Sequence, residues 1–382
     1  MGELRALPVT TRTTRTTTPT VHVVVPGDID DPARPSGGNA YDRRLCDGLI
    51  AAGLPVHEIA VAGTWPEPGD AARAELDRRL AAVPAGAAVV LDGLVACAVP
   101  EVLVPHAGRL RLALVVHLPL GDEAGLAPVT AADRSARERA ALDAATVVVA
   151  TSRWTALRLA QVHGVPDARV HVIAPGVQPA ALAPASDGGA RLLCVGSLTP
   201  TKGQDLLVEA LARLGDRSWT CRLVGPLTRD ATHVAAVRAL VRRHGLEGRV
   251  AVTGPCTGPV LDAAYAASDL LVLPSRAETY GMVVTEALAR GIPVLACAVG
   301  GVPETLGRAP DGTVPGVLVP TADVASLAAA LRRWLDEPEL RHAARAAARA
   351  RRPQLTGWDT TAHEWIRVLE HSYPLMARGG GA

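Results

Sequence analysis

The sequence predicts an α/β chain in which a doubly wound parallel sheet is built twice, the two units facing each other across a cleft. Three observations carry this. Short apolar, β-branched runs alternate with helix-patterned segments, as expected for parallel strands buried on both faces. The alternation stops at Pro179–Ala190, a Pro, Ala, Ser and Gly stretch that reads as a linker, and then starts afresh. At 382 residues the chain can bury a core in each of two units.

In chain order, Val21–Val25 is the first strand, followed by a loop of Pro, Gly and Asp through Gly38 and a helix over Asn39–Ala52. Pro55–Val61 is a second strand and Asp70–Ala82 a helix. Further strands are expected at Ala88–Leu91, Leu112–Val116, Thr146–Val149 and Val170–Ile173, with helices at Ala131–Ala145 and Arg153–His163. Past the linker, strands are expected at Arg191–Val195, Cys221–Val224, Val250–Thr253, Leu270–Leu273, Val294–Cys297 and Gly316–Val319. Helices are expected at Gly203–Leu214, Val234–His244, Gly258–Ala267, Met282–Arg290 and Val324–Leu335. The tail from Glu339 to His371 is helical in pattern but broken at Pro353 and Gly357, leaving Glu364–Leu369 as a last helix. The division is therefore a disordered arm over 1–20, a first domain over 21–183, a second over 190–355, and a helix within 356–376 that returns to the first domain. Ligand is expected where the strand C-termini of the two sheets face each other.

Composition narrows the function. A net charge of +1 gives no global reason to bind nucleic acid. No apolar run is long enough to span a bilayer, and the Thr- and Arg-rich start lacks the apolar core of an export signal. The expected location is cytoplasmic, free or at the inner face of the membrane. None of the six cysteines has CxxC spacing, so free thiols in a reducing compartment are expected. The chain contains no Phe, one Asn and one Lys against 38 Arg, a sign of GC-rich codon usage. A lone surviving lysine, Lys202, invites the question of what it does.

Several stretches can carry chemistry. In Pro274–Gly291, a strand runs into a loop with Glu278 and then a helix whose first free N–H groups point at the crevice, with Glu286 about one turn in. Two carboxylates flanking a helix N-terminus suit a sugar, a phosphate and a ribose in a row. Gly196–Gly203 places Lys202 between a strand and a helix, where a compact cation can meet phosphate; the order Lys-Gly is not that of a P-loop. Gly37 and Gly38 follow the first strand and let backbone N–H groups approach a ligand closely, although a plain turn is the alternative. His117 ends a strand, positioned either to orient a sugar hydroxyl or simply to bond a backbone carbonyl. The acidic Asp28–Asp31 resembles a metal–nucleotide DxD but has no supporting ligands in sequence, so no metal is expected. Arg341, Arg345, Arg349, Arg351 and Arg352 form a basic helical face, read as solvated or as a peripheral membrane contact. Gly300–Glu304 reads as a packing turn into a short helix.

Gly-Ser-Leu-x-x-x-Lys-Gly, Glu-Thr-Tyr-Gly-Met-Val-x-x-Glu-Ala-Leu-Ala-x-Gly-x-Pro-Val and Gly-Gly-Val-Pro-Glu occur here in that order. Together they resemble the retaining glycosyltransferases of family 4, which have the GT-B fold of two Rossmann-like domains. The resemblance is specific in the second domain; in the first, only Gly37-Gly38 and His117 match. It implies a nucleotide-diphosphate sugar held mainly by the second domain, with the first on the acceptor side. Lys202 would hold the diphosphate and Glu278 the sugar hydroxyls. The backbone around Tyr280, Gly281, Met282 and Val283 would meet sugar and phosphate, and Glu286 the ribose. Gly37 and Gly38 would close on the phosphates and His117 would face the sugar. One departure is Ser197, where the family commonly has Arg; Ser197 offers a hydrogen bond and no charge. The segment Val172–Val177 also lacks the Asn often found before its Gly.

The implied activity is sugar transfer, of a hexose in the usual case, with retained anomeric configuration. Lys202, Glu278 and His117 are the catalytic candidates, and no cofactor is expected beyond the donor substrate. Attack from the leaving-group side and a covalent intermediate both remain open. The other readings are a nucleotide-sugar epimerase and a non-catalytic GT-B-like binding subunit. A dinucleotide dehydrogenase is excluded because no Gly-x-Gly-x-x-Gly follows the first strand. The acceptor (a small molecule, a saccharide or a lipid) and the state, monomer or homodimer, leave no trace in sequence.

Overall fold

The structure, a computed structural model, describes residues 20–373. The expected disordered arm lies outside the described residues apart from Thr20, and so does the end of the 356–376 segment. In the first half, β1 (Val21–Pro26), α1 (Gly37–Ala51), β2 (Val56–Val61), α2 (Asp70–Ala82) and β3 (Ala88–Asp92) follow in turn. Two short helices, α3 (Gly93–Ala96) and α4 (Pro100–Leu103), come next, then β4 (Arg111–Val116), α5 (Pro128–Ala144), β5 (Val147–Ala150), α6 (Arg153–His163) and β6 (Val170–Val172). The short helices were invisible to periodicity because four residues make barely one turn.

The second half runs β7 (Arg191–Val195), α7 (Gln204–Ala212), β8 (Thr220–Val224), α8 (Ala231–Arg243), β9 (Val250–Gly254), α9 (Gly258–Ala266) and β10 (Leu270–Leu273). It continues with α10 (Met282–Ala289), β11 (Val294–Cys297), α11 (Val302–Leu306), β12 (Gly316–Val319), α12 (Val324–Asp336), α13 (Pro338–Arg351) and α14 (Trp358–Ser372).

The strands form two six-stranded parallel sheets, ordered β2-β1-β3-β4-β5-β6 and β12-β11-β10-β7-β8-β9. Each strand order reverses once, between β1 and β3 in the first sheet and between β7 and β10 in the second. Crevices open at such switch points, outside the strand C-termini. Each sheet is sandwiched between two apolar layers, Val24, Leu91 and Leu114 against Val23, Val90 and Val115 in the first. Leu192 and Val272 against Leu193 and Leu271 do the same in the second.

The last helix is longer than the pattern suggested, and it packs on α1. Trp365 Nε1 donates to Tyr41 Oη at 2.7 Å, and Tyr41 Oη donates to the Ile173 carbonyl at 3.1 Å. Gly48 makes this close approach feasible, since a Cβ there would lie 2.6 Å from the Ala362 methyl.

The basic face of α13 is only partly solvated: Arg349 is exposed, but other arginines of the group turn inward. Arg341 is 6% exposed and donates to the carbonyls of Trp334 and Leu335, which lie at the end of α12 without helical partners. Arg345 donates to Ser186 O, and Arg352 to Ala289 O and Ala180 O, tying the linker to the second domain. Guanidinium groups with fixed multiple donors suit this task, which a helical-wheel reading does not reveal. Among the described residues no helix is long and apolar enough to cross a membrane. The six cysteines are free, and all but Cys256 are buried.

Candidate active site

The switch points face each other, and a cleft of about 1670 Å³ lies between them. Gly37, Gly38, His117, Ser197, Lys202, Glu278, Tyr280, Gly281, Met282, Val283 and Glu286 all line it.

On the second-domain side, glycines allow loops to stack without side chains between them. Gly203 has φ +69°, and a Cβ there would stand 2.1 Å from the Pro274 carbonyl oxygen. That contact docks the Lys202 turn onto the loop leaving β10. Gly300 and Gly301 act likewise from the loop after β11: Cβ atoms there would lie 1.7 Å from Glu278 O and 2.0 Å from Thr279 O. Gly301 N also donates to Glu278 O at 3.1 Å. The Gly-Gly turn is thus a packing turn whose target is the Glu278 loop.

Lys202 and Glu278, expected on different parts of a ligand, are joined to each other. Lys202 Nζ lies 2.5 Å from Glu278 Oε2, with the side chains 29% and 11% exposed. Each neutralises the other in a partly desolvated cleft, where an unpaired charge would be costly. Ser197 lines the cleft, and its carbonyl accepts from Gln204 Nε2 at 3.1 Å. Glu286 lies one turn into α10, and one of its oxygens accepts from Tyr265 Oη at 2.6 Å. Burial pushes the Glu286 carboxyl above its usual range. Arg290 stacks over the Tyr265 ring at 4.6 Å, which braces that partner.

On the first-domain side, Ser36 caps α1 by accepting from Asn39 N, so that Gly37 and Gly38 form its first turn. A Cβ on Gly37 would be 3.5 Å from Met282 Sδ of the other domain, and one on Gly38 would be 3.2 Å from His117 Cδ2. His117 Nε2 bonds Asp42 Oδ1 at 2.9 Å, and the His117 ring meets Tyr41 edge-on at 5.1 Å. Asp92 ends β3 and accepts from Leu94 N at 2.8 Å. Burial alone would lower the His117 imidazole, but the carboxylates of Asp42 and Asp92 outweigh it and push it up to about 9. Burial, with the Asp42 charge adding, pushes Asp92 up to about 7.

The two sides also touch. Thr279 Oγ1 donates to the His117 carbonyl at 2.5 Å, and Ser152 Oγ to the Thr279 carbonyl at 2.6 Å. Tyr280 lines the cleft, while its hydroxyl donates to Pro175 O at 3.3 Å.

Sequence reasoning missed Asp42 and Asp92. The available signal was an acid in the stripe Tyr41, Leu45, Cys46, Leu49 of α1, where an apolar residue is expected. The acidic loop is used up locally: Asp28 pairs with Arg34 at 3.2 Å, Asp30 with Arg43 at 2.6 Å, and Asp31 Oδ1 accepts from Ala33 N. Among the described residues only Asp42, Asp92 and His117 bring three metal-ligating atoms within 4.8 Å of one another.

Residues 183–351 match the family described as glycosyl transferases group 1. The D-inositol 3-phosphate glycosyltransferase of Kineococcus radiotolerans is 35% identical over 274 residues, 66% of this chain and 63% of its own length. D-inositol 3-phosphate glycosyltransferase 1 of Catenulispora acidiphila is 36% identical over 255 residues, 62% of this chain and 59% of its own. The chain thus spans less than two thirds of these relatives. Sucrose-phosphate synthase from Thermosynechococcus elongatus superposes with a TM-score of 0.77 at 22% identity, over 93% of this chain and 99% of that one. Anabaena HepE in complex with UDP-glucose does so with 0.70 at 20% identity, over 92% and 99%. These likenesses establish the GT-B fold.

Proposed function

We propose, from the match of residues 183–351 to the glycosyl transferases group 1 family, that the chain is a glycosyltransferase moving a sugar from a nucleotide-diphosphate donor to an acceptor hydroxyl, with retained anomeric configuration. The observation that carries the reading is the Lys202–Glu278 ion pair at the mouth of α10, facing Gly37 and Gly38 across the cleft. A diphosphate entering there competes for Lys202 and meets the free N–H groups at the start of α10. Glu278, released from its partner, turns to the sugar hydroxyls and to the positive charge that develops on the ring. Glu286, with one oxygen already held by Tyr265, offers the other to the ribose.

As the glycosidic bond breaks, negative charge gathers on the departing diphosphate. Lys202 and the α10 N–H groups are placed to stabilise it, the same work an oxyanion hole does for an acyl group. These protein charges take the role a metal ion plays in other transferases. UDP-sugars are the first donors to try, given that HepE is seen with UDP-glucose. The D-inositol 3-phosphate relatives make a phosphorylated polyol the first acceptor to try.

The test is a thermal-shift screen of nucleotide sugars, then mass spectrometry and NMR of products formed with candidate acceptors. Acceptor-dependent nucleotide release with an α-to-α product is expected. An inverted product refutes retention. Binding with no release under any acceptor leaves a binding subunit, and conversion of the donor alone marks an epimerase.

A further inference from the structure

Asp42, Asp92 and His117 come from three elements, α1, β3 and the end of β4, and meet beside the cleft. The two carboxylates are 2% and 3% exposed. Asp42 Oδ1 is bonded to His117 Nε2 at 2.9 Å, while Asp42 Oδ2 is buried with no donor. A carboxyl oxygen of Asp92 lies within 4.8 Å of the ligand atoms of both Asp42 and His117. Two buried carboxyls this close resist being ionised together, and a proton carried by one of them can give the other the donor it lacks. At the far end of the chain of contacts, His117 Nδ1 has no bond within the protein and is not among the buried unpartnered atoms, so it opens into the cleft that His117 lines.

We propose that Asp42 and Asp92 are positioning residues that share a proton and hold His117 as an imidazolium, presenting Nδ1–H to the cleft as a fixed hydrogen-bond donor. The inference rests on the proposed sugar transfer only for what Nδ1–H meets there, an oxygen of the bound donor. The direction of charge agrees: Asp92 titrates near 7 and His117 near 9. Below pH 7 the unit carries a proton on Asp92 as well as the imidazolium. Between 7 and 9 the Asp92 proton is lost while the imidazolium persists, and above 9 the Nδ1 donor is lost. The charged groups facing His117 are Asp42 from α1 and Asp92 from β3. Tyr41 meets it with a phenol kept neutral by burial, and the Thr279 hydroxyl reaches only its backbone. The Lys202–Glu278 pair lines the same cleft from the opposite domain. An acid in the buried stripe of α1 costs desolvation that a Leu or Val would not, and its contact with His117 is what offsets that cost.

The experiment is NMR of the full chain labelled with 15N in its histidine rings, titrated from pH 5.5 to 10. His117→Gln assigns the resonance. An imidazole that keeps both ring protons at pH 8 and disappears in His117→Gln is expected. Asp42→Asn should lower its midpoint by more than about one pH unit. Asp92→Asn should lower it less, because the Asp42 contact survives, and it supplies the answer should Asp42→Asn fail to fold. A His117 midpoint near the free-histidine value, or one that neither variant moves, overturns the proposal. So does a stoichiometric metal ion found in the purified chain by mass spectrometry, since a cation would then occupy the place given to the proton. The titration needs no substrate, so a chain that turns over no nucleotide sugar would sink the transferase reading and leave this result intact.

Discussion

The two walls of the cleft are built by opposite means. The second-domain wall is made of loops pressed together by glycines: Gly203 on Pro274, Gly300 on Glu278, Gly301 on Thr279. Its charges, Lys202 and Glu278, stand at the surface of the cleft and hold each other. The first-domain wall sets two buried carboxyls, Asp42 and Asp92, behind His117, which lines the cleft. One wall exposes charge on a rigid backbone and the other sets a charge from below. This difference fits a division of labour in which the second domain grips a strongly anionic ligand and the first adjusts to a sugar.

The largest effect that would break this contrast is at Lys202. Lys202→Ala should lower donor turnover by at least about 100-fold, the scale of losing one oxyanion donor. Donor-hydrolysis kinetics read it directly, and near-normal turnover would move the phosphate site off this wall. The backbone contact behind Lys202 comes next. Gly203→Ala forces a Cβ against the Pro274 carbonyl at a positive φ, so neither partner can move aside easily. A loss of about 2 kcal/mol or more in unfolding free energy is expected from such strain. Urea denaturation measures it, and wild-type stability would show that the loops are not held by this contact.

The same contrast explains what was legible in the sequence. The second wall works through backbone approach, and glycine, proline and a strand-to-helix junction are visible as letters. Lys202, Glu278, Gly281 and Glu286 are therefore legible from sequence, along with both sheets. The pairing of Lys202 with Glu278 could not, because the two are far apart in sequence and the contact depends on how the Gly203 turn docks. The first wall works through side chains converging from α1, β3 and β4, and no local pattern records convergence. Asp42 was visible only as an acid in an apolar stripe, and Asp92 as the last residue of a strand. Arg341 and Arg345 mislead for a related reason: a wheel shows which face they share, and not that the carbonyls of α12 and the linker lie on that face.

A smaller effect sharpens the picture of the second wall. Glu286→Gln keeps the shape of the side chain and a partner for Tyr265 Oη, and removes the charge offered to a ribose. Nucleotide affinity should fall by about tenfold, near 1.4 kcal/mol, with little change in stability. Calorimetry with UDP separates the two, and an unchanged affinity would leave Glu286 as a structural partner of Tyr265.

The smallest effect tests the first wall through stability. The folded-state value of Asp92 is raised, from 3.8 to about 7. The folded chain therefore holds this proton more tightly than the unfolded chain does. Its stabilising effect is complete below 3.8 and is lost as pH rises toward 7, where a buried carboxylate must ionise beside Asp42. Asn in place of Asp92 can still accept from Leu94 N, faces the Asp42 carboxyl with a neutral amide, and never ionises. The His117 imidazolium works against the gain, because it loses one of its two carboxylate neighbours in the variant. The net expectation is that Asp92→Asn stabilises the chain by about 1 kcal/mol more at pH 8 than at pH 5. Paired thermal melts at the two pH values read this difference. A difference that stays constant between them would mean that Asp92 ionises as freely in the folded chain as in the unfolded one, and the first wall would then carry no buried proton.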